Sequence, residues 1–412
     1  MMPDARRLFV ARPLQACCCI VLLVAAVADA EGVTPDDYRL WGQEALATIQ
    51  RDFAIPGSRL LAEEVSREPA SARPAFAWPA GVQLSALAAG ARFSANSRAS
   101  LVRYLEALDA HWIVHHKIGG YNSVASASAS ASASASADRY YDDNAWLVLG
   151  LIEAYEATGD RRLLDRAQQA FNFVMSGEDE QLGGGLYWRE NRRATKNTCA
   201  NAPAIVCGLR LHRYTGDARH RVAAERLYAW VRRHLKDDRS GLYNDHIRLD
   251  GKVDGRLYTY NTGLMIRANC LLHEATGRDD YRREARRLAE AAARRWIDGD
   301  TRTLRGGAKF AHLLMEGLLE LERIAPSGRW SRVAQATTAS VRDARDPSTG
   351  RYPARWSPIP PWEPSAALID QASAARAFFV LAIASDRETP RPTDRQPPAG
   401  DRPVEADAGQ VD

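Results

Sequence analysis

Six cysteines in 412 residues are too few for a disulfide-stapled mini-domain. A bias of charge is equally missing: Lys+Arg number 55 against Asp+Glu 51, the net charge is +4, and both signs are interleaved along the chain. No basic stripe of the kind that nucleic acid requires is left, so no nucleic-acid partner is expected. The nine histidines form no HExxH or Cys/His ligand spacing, and no P-loop, GxGxxG or GxSxG run occurs. Metal and cofactor are therefore both expected to be none. Beyond the N-terminus no apolar run reads as a membrane span. What remains is a chain that is 46% hydrophobic and 26% charged, long enough for one large domain or two ordinary ones.

Both ends have the composition of appendages. Residues 1–30 carry Arg6, Arg7 and Arg12, an apolar run from Cys17 to Val27, and then Ala28-Asp29-Ala30, the layout of a cleavable secretory signal. A membrane anchor competes with this reading, but the run is shorter than the roughly 20 residues needed to cross a bilayer. The expected address is secreted or periplasmic, with no membrane association after cleavage. Residues 386–412 are rich in Pro, Asp and Arg and read as a disordered tail. Cys199, Cys207 and Cys270 then remain, an odd count that suits buried small hydrophobes.

Between the ends lies a repeat. Thr158-Gly159-Asp160, Thr215-Gly216-Asp217 and Thr276-Gly277-Arg278-Asp279 each follow an apolar segment and precede an amphipathic one. Glycine in the left-handed conformation closes one helix, and the following Asp can cap the next. The upstream segments, such as Trp146 to Tyr155, are apolar nearly all round and read as inner helices. Downstream, Leu163, Leu164, Ala167, Ala170, Phe171 and Val174 recur at three and four residues, the mark of outer helices with one solvent face. Inner candidates fall near 80–92, 142–157, 199–214, 260–275, 308–323 and 366–384. Six such hairpins can bury their faces together by closing into a ring, so the expected fold is all-α, an (α/α)6 barrel spanning 31–385. An open solenoid is the alternative.

The returning connections share a second signature, in Gly119-Gly120-Tyr121-Asn122, Gly184-Gly185-Leu186-Tyr187-Trp188, Gly241-Leu242-Tyr243-Asn244-Asp245 and Gly350-Arg351-Tyr352. All fall on the rim opposite the Thr-Gly turns. They gather aromatic, amide and acidic side chains, as a sugar ring requires, although tight turning explains them as well. A Ser-Ala low-complexity insert at 123–137 interrupts this rim and reads as a flexible loop beside the cleft.

Tyr140-Tyr141-Asp142-Asp143-Asn144 opens the second inner helix. Adjacent carboxylates repel, which raises the pKa of one of them. Glycoside hydrolysis uses such a split, with one ionised carboxylate and one protonated acid. The structural alternative is that Asp142 caps the helix while Asp143 favours its dipole. Aligned by the Thr-Gly turns, the slots of Asp142, Asp143 and Asn144 hold Cys199, Ala200 and Asn201, and then Tyr260, Asn261 and Thr262. One repeat alone carries the pair, whereas a capping requirement should recur in all.

The run from Tyr140 to Asp160 resembles glycoside hydrolase family 76, the endo-α-1,6-mannanases. Gly183 to Trp188, Lys196 to Pro203, Tyr258 to Gly263 and Leu368 to Ala374 extend the likeness in order. The resemblance implies a retaining hydrolase of mannan in which Asp142 is the nucleophile and Asp143 the general acid/base. It further implies a cleft formed by Tyr141, Asn144, Tyr187, Trp188, Asn197, Asn201, Asp245, Tyr260 and Asn261. A monomer acting on mannan or manno-oligosaccharides is expected. Leu147, Ala200 and the Ser-Ala insert depart from the family pattern. Two other readings stay open: another (α/α)6 sugar enzyme, such as an unsaturated-glucuronyl hydrolase or an epimerase, and a non-catalytic carbohydrate-binding protein.

Overall fold

The computed structural model describes residues 32–66, 73–126, 138–361 and 365–388. The expected leader, most of the Ser-Ala insert and the tail from 389 onward lie outside the described residues.

Twelve helices occur in the described residues: α1 Pro35–Phe53, α2 Ala77–Gly90, α3 Ala95–Leu108, α4 Tyr141–Thr158, α5 Arg161–Met175, α6 Thr198–Thr215, α7 Ala218–Leu235, α8 Thr259–Thr276, α9 Asp279–Trp296, α10 Ala308–Ile324, α11 Arg329–Asp343 and α12 Leu368–Glu388. The even-numbered helices pack each against the next, and α12 returns to α2, so the ring closes. The odd-numbered helices lie outside, with α3, α5, α7, α9 and α11 on the inner helix that precedes each, and α1 on α12. The architecture is an (α/α)6 barrel. Burial follows the sequence pattern: Leu164, Ala167, Ala170, Phe171 and Val174 of α5 turn inward, whereas α4 is buried continuously from Asn144 to Ala154.

The Thr-Gly turns form as expected at the C-terminal ends of α4, α6 and α8. Gly159, Gly216 and Gly277 adopt φ of +77°, +73° and +69°. The threonines contribute more than the pattern suggested: Thr158 Oγ1 donates to the Ala154 carbonyl (2.7 Å) and accepts from the Asp160 N–H (3.2 Å), and Thr215 and Thr276 repeat the motif. Asp160 and Asp217 cap α5 and α7. The third turn departs from expectation, because Arg278 takes the cap position and Asp279 is already helical.

Two further corrections concern the inner helices. They are not purely apolar: Glu153, Arg210, Glu316 and Arg376 are buried near the Thr-Gly end of the barrel. Arg376 donates to Glu316 (2.8 Å), Glu153 (2.7 Å) and the Ser85 carbonyl (3.0 Å), while Arg210 joins Glu153 and Glu156, and Arg267 joins Glu316. The six C-terminal helix ends concentrate negative dipole there, and the guanidiniums offset it. One inner helix also meets the length and apolarity of a membrane span: Leu368–Arg387 has a mean hydropathy of 1.3, but 78% of that window is buried within the barrel.

At the other rim the connections form short antiparallel strands that the helical periodicity did not show. A hairpin pairs Trp112–His115 with Ile118–Tyr121, and Thr195–Asn197, Asn244–Arg248 and Val253–Leu257 form a three-stranded sheet. The ends of the Ser-Ala insert are stapled together there. Ser123 N–H donates to the Asp138 carbonyl (2.9 Å), and Asp138 N–H to Asn122 Oδ1 (2.7 Å).

Candidate active site

The N-terminal turns of the inner helices surround the mouth of the barrel on the strand-bearing rim. In α2, α4, α6, α8 and α10 the residue before the helix makes no side-chain cap, so their positive ends face the mouth without one. Asp142 and Asp143 are the second and third residues of α4, and the cap position belongs to Tyr140. Neither aspartate caps the helix, which removes the structural alternative for Asp142.

The two neighbouring carboxylates sit in different surroundings. Asp142 Oδ2 accepts from Trp188 Nε1 (2.9 Å), and the Cys199 thiol also donates to this carboxylate. Asp142 Oδ1 is buried with no partner among the described residues. Burial pushes Asp142 up to about 6 against an ordinary value of 3.8, held from going higher by those donors. Asp143 is pushed well above the ordinary value by burial and by the negative charges of Asp142, Asp138 and Glu63. The donors at Asp142 and the negative neighbours of Asp143 thus favour ionisation of Asp142 over that of Asp143. The first turn of α4 thus offers a carboxylate and a carboxylic acid side by side, a combination suited to acid-assisted displacement at a sugar carbon.

The sequence profile of glycosyl hydrolase family 76 matches residues 63–394. This chain belongs to glycosyl hydrolase family 76. It is accordingly a glycoside hydrolase. A family 76 α-mannanase from Bacteroides thetaiotaomicron superposes with a TM-score of 0.79 at 26% identity, over 85% of this chain and 97% of that one. A mannan endo-1,6-α-mannosidase of Candida glabrata is 30% identical over 157 residues, a match that spans 34% of each protein. The α-1,6-mannanase of a Salegentibacter species, crystallised as an inactive double Asp-to-Asn variant with α-1,6-mannotriose, shares the fold with a TM-score of 0.69 at 19% identity, over 84% of this chain and 100% of that one.

Within this family 76 hydrolase, the residues expected in the cleft divide into two groups. Trp188, 42% exposed, reaches Asp142. Tyr260 stacks on Phe310 (4.6 Å between centroids) and feels the charges of Asp142 and Asp245. Asp245 is held by His246 Nδ1 (2.9 Å) and by Arg256, 3.5 Å away. Asn261 is buried with neither amide atom partnered among the described residues.

The second group is engaged in building the rim itself. Asn144 is fully buried and clasps a rim loop, its Oδ1 accepting from Tyr121 N–H (2.7 Å) and its Nδ2 donating to the carbonyls of Tyr121 and Tyr140. Asn201 does the same to Leu186, as Gln371 does to Tyr352. These amides satisfy loop backbone that would otherwise be buried unpaired, which corrects the expectation that Asn144 and Asn201 bind sugar. Tyr141 is likewise buried, stacked on Phe173, and Tyr187 is buried beneath Lys196 and Arg193. Asn197 is buried, with its Oδ1 taken by Thr195 (2.7 Å). The aromatic-amide signature of the loops thus records rim construction as much as ligand contact.

Asp245, His246 and Asp254 bring potential ligand atoms within 4.8 Å of one another. Arg256 bridges Asp254 (2.9 Å) and Asp245, so a guanidinium already sits where a cation would. A cavity of about 1140 Å³ opens at the Thr-Gly end, lined by Glu153, Arg210, Arg267, Glu316 and Arg376. It contains the structural ion-pair network, at the opposite end of the barrel from the aspartate pair.

Residues that the sequence reading passed over also face the mouth. Glu63 acts electrostatically on Asp143. Asp370, buried in the first turn of α12, is pushed up to about 6 by burial, against the opposing charge of Lys309. Trp78 and Phe310 stack at 5.7 Å. Counting positions from the start of each inner helix would have singled out Trp78, Lys309 and Asp370.

Proposed function

We propose that the protein is an exported retaining hydrolase of internal α-1,6-mannosidic bonds in mannan. Asp142 attacks the anomeric carbon and expels the leaving oxygen, which takes the Asp143 proton. Asp143 then removes a proton from water as that water displaces Asp142 from the glycosyl-enzyme, which restores both groups. The observation that carries this reading is the contrast within the pair: donors from Trp188 and Cys199 favour an anion at Asp142, while burial and negative neighbours both disfavour one at Asp143. The mannanase activities of the Bacteroides and Candida relatives support mannan as substrate, and the near-neutral charge balance suits an uncharged polymer. The basic-apolar-small layout of residues 1–30 supports export.

The test is incubation of purified protein with linear α-1,6-mannan and with α-1,2- and α-1,3-linked controls. Products would be sized by chromatography, and their anomeric configuration followed by NMR. Internal cleavage of the α-1,6 polymer alone, with initial α-configured products, is expected. No products, β-configured products, or full activity in Asp142→Asn would each overturn the assignment.

A further inference from the structure

The roles given to Asp142 and Asp143 use one of the six inner-helix first turns, and the repeat allows the others to be compared position by position. The amide clasps set the register, since Asn144, Asn201 and Gln371 each grip both peptide atoms of a rim-loop residue from the fourth position of their helix. On that register Asp370 occupies in α12 the slot that Asp143 occupies in α4. Lys309 and Trp78 occupy the slot of Asp142 in α10 and α2, the two helices that flank α12.

These three residues form an incomplete polar set. Asp370 is 7% exposed; its carboxylate accepts from the backbone N–H of Lys309, while its Oδ1 has no hydrogen-bond partner among the described residues. Trp78 Nε1 is also buried and unpartnered. The Lys309 ammonium lies 5.7 Å from the Trp78 ring centre and 5.4 Å from that of Phe310, and it makes no ion pair among the described residues. Asp370 could serve merely to favour the α12 dipole, but that role needs neither burial nor an unpaired oxygen. A buried acceptor left open is costly, and an indole donor, a cation and an aromatic surface beside it are the groups that a polyhydroxylated ring would complete.

The position of the set relative to the catalytic pair indicates which sugar it would hold. In the ring α12 packs on α2 and α2 packs on α4, so the set lies on the α2 side of the aspartate pair, the side from which Glu63 acts on Asp143 and Lys309 acts on Glu63. The arc therefore continues from the acid. We propose that Asp370, Lys309 and Trp78 form a subsite for the departing mannosyl unit, with hydroxyls donating to Asp370 and accepting from Lys309 and the indole. This rests on the roles assigned to Asp142 and Asp143. The same subsite would hold an acceptor sugar when the glycosyl-enzyme is intercepted by a carbohydrate instead of water.

The experiment compares unsubstituted protein with Asp370→Ala and Lys309→Met on two substrates. One is end-labelled α-1,6-mannotetraose. The other is a nitrophenyl α-1,6-mannotrioside, which places only an aryl group on the departing side. Losing a hydrogen bond to a charged group should lower the ratio of kcat/KM for the tetraose to that for the aryl substrate by about 10- to 100-fold. The effect should fall mainly on KM, and the bond cut in the tetraose should shift. An unchanged ratio with an unchanged cleavage pattern in both variants would overturn the subsite. If Asp370→Ala does not fold, Asp370→Asn and Lys309→Met carry the same comparison. Failure of the unsubstituted protein to cut any α-1,6-mannoside would instead overturn the catalytic reading, and the subsite with it.

Discussion

Replacing Asp142 by Asn should stabilise the protein at neutral pH while abolishing its activity. The folded state holds this carboxyl at about 6, whereas an unfolded chain would show the ordinary 3.8. A group whose folded pKa is raised contributes stability that is full below the unfolded value and is lost as pH rises through the folded one. The rise from 3.8 to about 6 corresponds to about 3 kcal/mol lost between roughly pH 4 and pH 7. Partial solvent access and coupling to Asp143 reduce this, and asparagine keeps an oxygen for the Trp188 donor, so a net gain of about 1–2 kcal/mol is expected at pH 7.5. In a domain of this size that is about 1.5–3 °C in Tm. Calorimetric melting of both proteins at pH 7.5 and pH 4 checks it, with the difference shrinking towards zero at the lower pH. A variant no more stable than the parent at pH 7.5, or a gain of equal size at pH 4, would refute the claim that ionised Asp142 is held at a cost.

Other outcomes follow from single contacts. Trp188→Phe removes the donor to Asp142, so the acidic limb of the pH profile of kcat/KM should move up by about 0.5–1 pH unit with little change in Tm; an unmoved limb would show that the contact does not tune Asp142. Arg376→Met leaves Glu153 and Glu316 buried without their shared guanidinium and should cost about 3–5 kcal/mol in urea unfolding, far more than an exposed Arg substitution such as Arg213→Met. Replacing residues 127–137 by two glycines should leave Tm within about 2 °C, because Ser123 and Asp138 already hold the loop ends together. A large loss of Tm would mean that the insert packs on the barrel.

The helical hairpins were legible because their signals are local. A threonine that bonds back to its own helix, a glycine in the left-handed region and an apolar stripe of fixed period all lie within one turn and its neighbours. The aspartate pair was legible for a related reason, since aligning the turns showed it to be the exception among the repeats. The arrangement of the mouth was less so. Asn144 and Tyr187 carry the residue types of a sugar site, yet they are consumed in holding the rim, because a loop folded over a barrel end must satisfy its own backbone. The rim strands escaped notice because they are two to five residues long, too short for an alternating pattern to show, and three of the five pairings join segments about 50 or more residues apart.

By itself, then, the sequence determined the helices, their alternation of inner and outer faces, and the two adjacent carboxylates, all of which depend on residues close along the chain. The tertiary structure alone decided that Trp188 and Cys199 meet Asp142 while Asp138 and Glu63 crowd Asp143, and that Trp78, Lys309 and Asp370 converge from three helices. Closing a ring brings first turns hundreds of residues apart into one mouth, and there burial and neighbouring charge, which no local pattern encodes, set the two adjacent carboxyl groups apart.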